Sequence, residues 1–222
     1  MKRTVIDTED NSKTLLIDNT EVTYHSRHGA ITESTHIFIE NGLAAIKHKP
    51  RLTVFEMGFG TGLNAILAYE FARTHGKKIQ YHTIEKYPIT NTEVTAFYET
   101  ILQYNPNLLP IYKQLHRLEW DTNNIIDDYF EVKKIESDIL DFHIGNNYYD
   151  IIFFDAFGPK FQPELWQPNQ LKKCYDALNS EGFLITYCAQ GQFKRDLKSV
   201  LFSVDNLPGP PGKREITRAK KA

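Results

Sequence analysis

The sequence predicts a single α/β domain: a mostly parallel, seven-stranded sheet with helices on both faces, preceded by a small β-hairpin and helix extension. Three observations carry this. From Leu52 onward, short apolar runs alternate with helical patterns, as expected of parallel strands joined by crossover helices. A chain of 222 residues with 41% hydrophobic content suits one core of ordinary size. Finally, Val54-Phe-Glu-Met-Gly-Phe-Gly-Thr-Gly-Leu-Asn64 passes from an apolar strand into a helical pattern through glycines at alternate positions, Gly58, Gly60 and Gly62.

Residues 1–50 form the extension. β-type runs at Thr4 to Ile6, Thr14 to Ile17 and Glu21 to Tyr24 are separated by Asp, Asn and Ser clusters, and a helix is expected over 31–47, ending before Pro50. The core occupies 51–222. Its strands are expected at 52–57, 79–84, 130–136, 149–155 and 182–187, and its helices near 62–75, 90–103, 168–179 and 191–199. The last two strands, 201–206 and 214–219, flank Leu207-Pro-Gly-Pro-Pro-Gly212, a stretch suited to joining an antiparallel pair at a sheet edge. Residues 105–128 fit no template and read as an insertion of mixed character. No internal repeat or interdomain linker is present.

Composition excludes several function classes. No apolar run approaches the roughly 20 residues of a membrane span, and no apolar signal segment follows Met1-Lys-Arg-Thr. Cys174 and Cys188 have neither CxxC nor metal-ligand spacing and read as reduced thiols of a cytoplasmic protein. The eight histidines are scattered, so no metal is assigned. Net charge is −2, which argues against a uniformly basic surface. Residues 188–222 nevertheless carry eight Lys or Arg against three Asp or Glu, which leaves the remainder at −7. That edge reads equally as a local contact for a polyanion or as a solvated tail.

The glycine turn narrows the chemistry. A strand that becomes a helix through glycines brings bare backbone close to a ligand. The spacing is neither G-x-G-x-x-G nor that of a P-loop, but Glu-x-Gly-x-Gly-x-Gly. It resembles the first motif of Rossmann-like S-adenosylmethionine (SAM) methyltransferases; a ligand-free βα turn is the plain alternative. Ligands of open α/β sheets bind outside the carboxyl ends of the strands. Glu85 closes the second core strand, where a carboxylate accepts both ribose hydroxyls of an adenosine. Asp138 follows the third, placed for an adenine amino group, and Asp155 ends Tyr149-Asp-Ile-Ile-Phe-Phe-Asp155, a central strand. Each acid alone is more often a surface or capping residue; together they favour adenosine binding. Beyond them, Ala156-Phe-Gly-Pro-Lys-Phe-Gln-Pro-Glu-Leu-Trp166 reads either as a rigid aromatic pocket for a flat ring or as a proline-stiffened loop over the core.

At this point the chain resembles the methyltransferase half of the MnmC family. The residues that carry the resemblance span nearly the whole sequence: Tyr24-His-Ser26, Gly29 to Ser34 and His36-Ile-Phe38; Glu56-Met-Gly-Phe-Gly-Thr-Gly-Leu-Asn64; Glu85-Lys-Tyr-Pro-Ile-Thr90; Asp155-Ala-Phe-Gly-Pro159 with Gln162 to Trp166; Thr186-Tyr187; and Lys213-Arg-Glu215. The bacterial pattern has Asp-Gly-Phe-Ala-Pro where this chain has Asp-Ala-Phe-Gly-Pro, a swap of small residues. The resemblance implies a class I SAM-dependent fold and methylation of the aminomethyl group of 5-aminomethyl(-2-thio)uridine at the tRNA wobble position. Gly58, Gly60, Gly62 and Asn64 would cradle the methionine side of SAM, Glu85 would hold the ribose and Asp138 would meet the adenine, with Glu56, Lys86 and Ile139 as further cofactor-binding residues. Asp155 would stand beside the sulfonium and the incoming amine. Phe157, Pro159 and Trp166 would receive the flipped uridine, with a core role for Trp166 equally open. Lys194, Arg195, Lys213 and Arg214 would contact tRNA phosphates.

The family's FAD-dependent oxidase half has no counterpart in the sequence. A stand-alone, monomeric transferase is therefore expected, dependent on a separate enzyme for the aminomethyl arm. Asp155 is expected to orient the amine and anchor SAM, because a carboxylate of ordinary pKa, ~3.9, is a poor base for an alkylammonium. The alternatives are a transferase for small-molecule amines, related to aminopropyltransferases, and a non-catalytic tRNA-binding protein.

Overall fold

The computed structural model describes residues 2–221. Its main sheet has eight strands, one more than the sequence pattern predicts. They are β3 (Arg51–Met57), β4 (Lys78–Glu85), β5 (Asn123–Asp127), β6 (Phe130–Glu136), β7 (Tyr149–Phe154), β8 (Leu178–Thr186), β9 (Ser203–Pro208) and β10 (Glu215–Lys220), in the order β5-β6-β4-β3-β7-β8-β10-β9. β6, β4, β3, β7 and β8 run parallel, and the two edges are antiparallel. Every residue of β7 is buried, which explains why that strand is apolar on both faces and lies near the centre. The chain leaves β3 toward β4 on one side and later returns to β7 on the other. The strand order reverses between them, and their carboxyl ends open a crevice there.

Helices cover both faces. α2 (Leu63–His75) packs on one, joined there by α4 (Tyr98–Tyr104) and α5 (Leu109–Arg117). α6 (Pro168–Ala177) and α7 (Gly191–Ser199) cover the other. Gly62 and Gly76 bound α2 in left-handed conformations. The expected helix at 90–103 divides at Phe97, with α3 (Asn91–Ala96) starting in a Thr90/Glu93 capping box.

Three expectations are corrected. The insertion at 105–128 folds into α5 and the edge strand β5, whose tight turn into β6 is held by Asp127 accepting from the amides of Tyr129 and Phe130. The helix expected at 31–47 is broken. α1 (Ala30–Ser34) passes into a wide π-helical turn over Thr35–Glu40, the Asn41 side chain caps the carbonyl of His36, and a 3-10 turn follows at Leu43–Ile46. Residues 21–24 make a single bridge, Leu16 to Thr23, beside the hairpin of β1 (Arg3–Asp7) and β2 (Lys13–Ile17). Arg3 ties that hairpin to the core through Glu93, at 2.7 Å.

Candidate functional site

A cavity of about 370 Å³ opens at the carboxyl ends of the strands around the crevice, within the range typical of small-molecule sites. Its wall combines the glycine turn, the strand-end acids, residues 22–26 and 33 of the extension, the loop after Asp155, and Tyr187 and Lys213 from the far edge. Sequence-distant segments meet there because the carboxyl ends of parallel strands all point one way.

The glycine turn is built from below. Gly58 has φ +93°, and a Cβ there would press on the Asp155 carbonyl at 3.2 Å, so the turn and the end of β7 approach as backbone against backbone. Thr61 is clamped from three sides. Its carbonyl accepts from the Tyr112 hydroxyl at 2.7 Å and from His116 Nε2 at 3.1 Å, and its hydroxyl pairs with His25 Nε2 at 2.8 Å. Burial lowers both histidines to about 4, so they are neutral at physiological pH. α5, from the unplaced insertion, thus buttresses the loop.

One end of the cavity is open and well satisfied. Glu85 accepts from the Gly60 amide at 3.0 Å and the Tyr87 amide at 2.7 Å. Asp138 accepts from the Leu140 amide at 3.0 Å and pairs with Lys86 at 2.6 Å, and these bonds outweigh partial burial to hold it below the usual carboxylate range. Both carboxylates are held in place by these bonds, with lone pairs left for hydroxyl or amino donors.

The other end is enclosed. Asp155 lies against the Asn64 amide, which donates to it at 2.8 Å; burial pushes its carboxyl up to about 7, Asn64 and Lys213 pulling down and Glu33 pushing up. Glu33 also accepts from the Ser26 amide and pairs with Lys213, whose ammonium sits 4.3 Å over the Tyr187 ring. Tyr24 and Phe157 meet edge to face at 4.9 Å, and the Tyr24 hydroxyl accepts from Arg3.

Of the residues singled out by sequence, Gly58, Gly60, Asn64, Glu85, Lys86, Asp138, Ile139, Asp155, Phe157 and Lys213 share this one wall. Others do not reach it. Glu56 is wholly buried beneath the floor, accepting from Thr83 at 2.7 Å, because strand alternation turns it to the same covered face as Leu52 and Val54, under α2. Gly62 is required by packing: with φ +73°, an added Cβ would lie 2.9 Å from His116. Trp166 is a core residue, packed against Phe154 and Phe193; its indole N–H holds the Phe157 carbonyl at 2.9 Å and so fixes the loop. Pro159 does not line the cavity. Lys194, Arg195 and Arg214 lie outside the cavity, Lys194 paired with Glu215 at 3.0 Å. Lys213 points inward to Glu33, not outward to a polyanion. The expectation of an ordinary Asp155 is also overturned, since sequence carries no measure of burial.

Tyr24, Glu33, Gln162 and Tyr187 were not singled out as site residues, although each lies in a segment that carries the family resemblance. Tyr24 and Glu33 come from the extension, whereas Gln162 and Tyr187 come from the segments that follow β7 and β8. The donor set fits SAM: glycine backbone without Cβ, two fixed carboxylates suited to an adenosine, and a third carboxylate in the enclosed end suited to a cation.

A family described as S-adenosyl-L-methionine-dependent methyltransferase matches residues 96–222. The chain is similar to the tRNA 5-methylaminomethyl-2-thiouridine biosynthesis bifunctional protein MnmC of Marinomonas sp. (strain MWYL1), 29% identical over 87% of this chain and 30% of that protein. The corresponding protein of Pseudoalteromonas atlantica is 24% identical over 91% of this chain and 31% of its own length. The chain thus spans about a third of these relatives. Among solved structures, MNMC2 from Aquifex aeolicus superposes with a TM-score of 0.77 at 22% identity, over 98% of this chain and 70% of that one. Spermidine synthase from Thermotoga maritima gives 0.61 at 14% identity, over 99% and 69%. Both likenesses concern the fold.

Proposed function

The chain belongs to the S-adenosyl-L-methionine-dependent methyltransferase family, and on that premise we propose that it methylates the free aminomethyl group of 5-aminomethyl(-2-thio)uridine at the tRNA wobble position. The observation that carries this reading is the enclosed end of the cavity. There the Asp155 carboxylate faces a space walled by Tyr24, Phe157 and Tyr187, which suits an amine borne on a flat ring. The names of the relatives place them in the biosynthesis of the corresponding methylaminomethyl nucleoside.

Bound SAM supplies a methyl group on a cationic sulfur. Glu85 and Asp138 take the hydroxyl and amino donors of its adenosine, and the backbone at Gly58 and Gly60 admits its methionine side. Asp155 accepts a hydrogen bond from the acceptor amine and fixes the direction of its lone pair. Its raised proton affinity, about 7, narrows the gap to an alkylammonium and lets it take up the amine's proton. Alignment contributes the larger share, up to roughly 7–11 kcal/mol. Arg195 and Arg214 are proposed as phosphate contacts, the tRNA being the partner of a cytoplasmic monomer that receives its aminomethyl arm from a separate enzyme.

The test is methyl transfer from labelled SAM to tRNA carrying 5-aminomethyluridine, read by nucleoside mass spectrometry. A gain of one methyl at the wobble uridine is expected. SAM binding without transfer to that tRNA refutes the substrate and redirects the search to small-molecule amines. Replacing Arg195 and Arg214 together by Gln is expected to flatten the salt dependence of tRNA binding by roughly 1.4–1.8 in log–log slope; an unchanged slope places the tRNA elsewhere.

A further inference from the structure

Beneath the enclosed end of the cavity, three solvent-shielded polar atoms adjoin one another yet make no well-formed hydrogen bond among the described residues: Glu56 Oε1, Asn64 Oδ1 and the Tyr81 hydroxyl. They belong to one group of side chains where β3, β4 and the first turn of α2 meet the end of β7. The polar and charged members facing Glu56 are Thr83 and Tyr81 on β4, Asn64 on α2 and Asp155 after β7. Two good hydrogen bonds are present. Thr83 donates to Glu56 Oε2 at 2.7 Å, and Asn64 Nδ2 donates to Asp155 Oδ2 at 2.8 Å.

Counting protons shows what is missing. With both carboxyls ionised, two negative charges would share a desolvated region, and Asn64 Oδ1 would face Glu56 with no donor between them. An isolated buried carboxylate is costly, and so is an orphaned buried acceptor, at about 1–3 kcal/mol. A single proton on Glu56 removes one charge and supplies the donor that Asn64 Oδ1 lacks. It also fixes the amide the right way round: with its oxygen held by Glu56, Asn64 can only turn its NH₂ toward Asp155.

We propose that Glu56, Asn64 and Asp155 form one hydrogen-bonded unit holding a single proton, which resides on Glu56, so that the unit's one negative charge is the Asp155 carboxylate facing the cavity. Glu56 is then a positioning residue. It never touches a ligand, but decides which of two carboxyls meets the cation. The locations favour this assignment: Glu56 is 0% exposed, whereas Asp155 lines the cavity and can be stabilised by what binds there. Burial pushes Glu56 up to about 8, the Asp155 charge adding to the rise and the neighbouring Thr83, Asn64 and Tyr81 groups pulling against it. The inference leans on the SAM reading for one of its three measurements only.

The test compares wild type with E56Q and E56A. Gln is neutral at every pH, can donate from its NH₂ to Asn64 and accept from Thr83, and so mimics protonated Glu. In the infrared difference spectrum between wild type and E56Q at pH 7, the carbonyl band of a protonated carboxylic acid is expected in wild type and is retained in D155N; its absence from wild type overturns the proposal. Glu56 has a folded-state pKa raised above its unfolded value, so the stability it confers is present below about 4.5 and is lost as pH rises through about 8. E56Q does not titrate. The Tm of E56Q relative to wild type is therefore expected to climb between pH 6 and pH 9, and a constant difference overturns the proposal. Calorimetric SAM binding is expected within about threefold of wild type for E56Q and weaker by about tenfold or more for E56A. Equal loss in the two variants overturns it. The first two readouts need neither SAM nor an acceptor, so they stand if the tRNA assignment fails.

Discussion

The two ends of the cavity hold carboxylates of opposite character. At the open end, Glu85 and Asp138 are fixed by backbone amides and Lys86, and Asp138 is held below the ordinary range. At the enclosed end, Asp155 is desolvated, leans on a single amide and is raised to about 7. The same residue type therefore does two jobs. Carboxylates satisfied by backbone amides offer fixed acceptors to neutral donors, whereas a desolvated one is poised to meet a cation and to exchange a proton. The contrast separates binding from chemistry, and it can be broken residue by residue.

The largest effect is expected at Asp155. Replacing it by Asn or Ala should lower the turnover rate at saturating SAM by roughly 10²–10⁴-fold, the usual worth of a positioned acid–base group. The melting transition should remain cooperative, and near-wild-type turnover would remove Asp155 from the reaction. The mirror-image experiment is Glu85→Ala. Hydrogen bonds to a charged acceptor are worth about 1.5–3 kcal/mol, so SAM should bind roughly 10- to 100-fold more weakly. The maximal rate should change far less, and a Glu85 variant that loses rate while keeping affinity would collapse the distinction.

The pH profile sharpens the same point. Turnover should fall on acidification through about 7, as the Asp155 carboxyl gains its proton, and this limb should vanish from the residual rate of D155N. Stability runs the other way. The folded-state pKa of Asp155 lies above its unfolded value of 3.8, so the stability it confers is present below that value and lost as pH rises through about 7. D155N should thus gain Tm relative to wild type above pH 7, while losing the reaction.

The open end was more legible in the sequence than the enclosed end, for a physical reason. Glycines at alternate positions after a strand, and acids that close Ile79 to Ile84 and follow Ile135, are set by local backbone geometry, which periodicity reports. The parallel order and the β9–β10 hairpin follow from the same signal. What periodicity cannot report is desolvation. The raised pKa of Asp155, the removal of Trp166 into the core and the inward turn of Lys213 all depend on which distant segments fold over the crevice. Residues 105–128 were opaque for a related reason. α5 is only nine residues long, and its place is fixed by tertiary bonds from Tyr112 and His116 to Thr61, not by a long amphipathic repeat.

The smallest effect is also the finest probe of the enclosed end. Glu33 and Lys213 pair with each other across the extension and the β9–β10 turn, and act on Asp155 in opposite directions: Glu33 raises its proton affinity and Lys213 lowers it. Removing one partner leaves the other uncompensated. Lys213→Met should therefore move the acid limb of turnover to higher pH, and Glu33→Gln should move it to lower pH. Each shift should be smaller than about one pH unit, since one unit corresponds to 1.36 kcal/mol and the pair lies partly within reach of solvent. The two shifts should largely cancel in the double variant, as expected of coupled neighbours. Shifts of the same sign would mean that these substitutions act through cavity shape. Opposite signs would locate the control of the Asp155 charge in an ion pair that closes the fold over its own site.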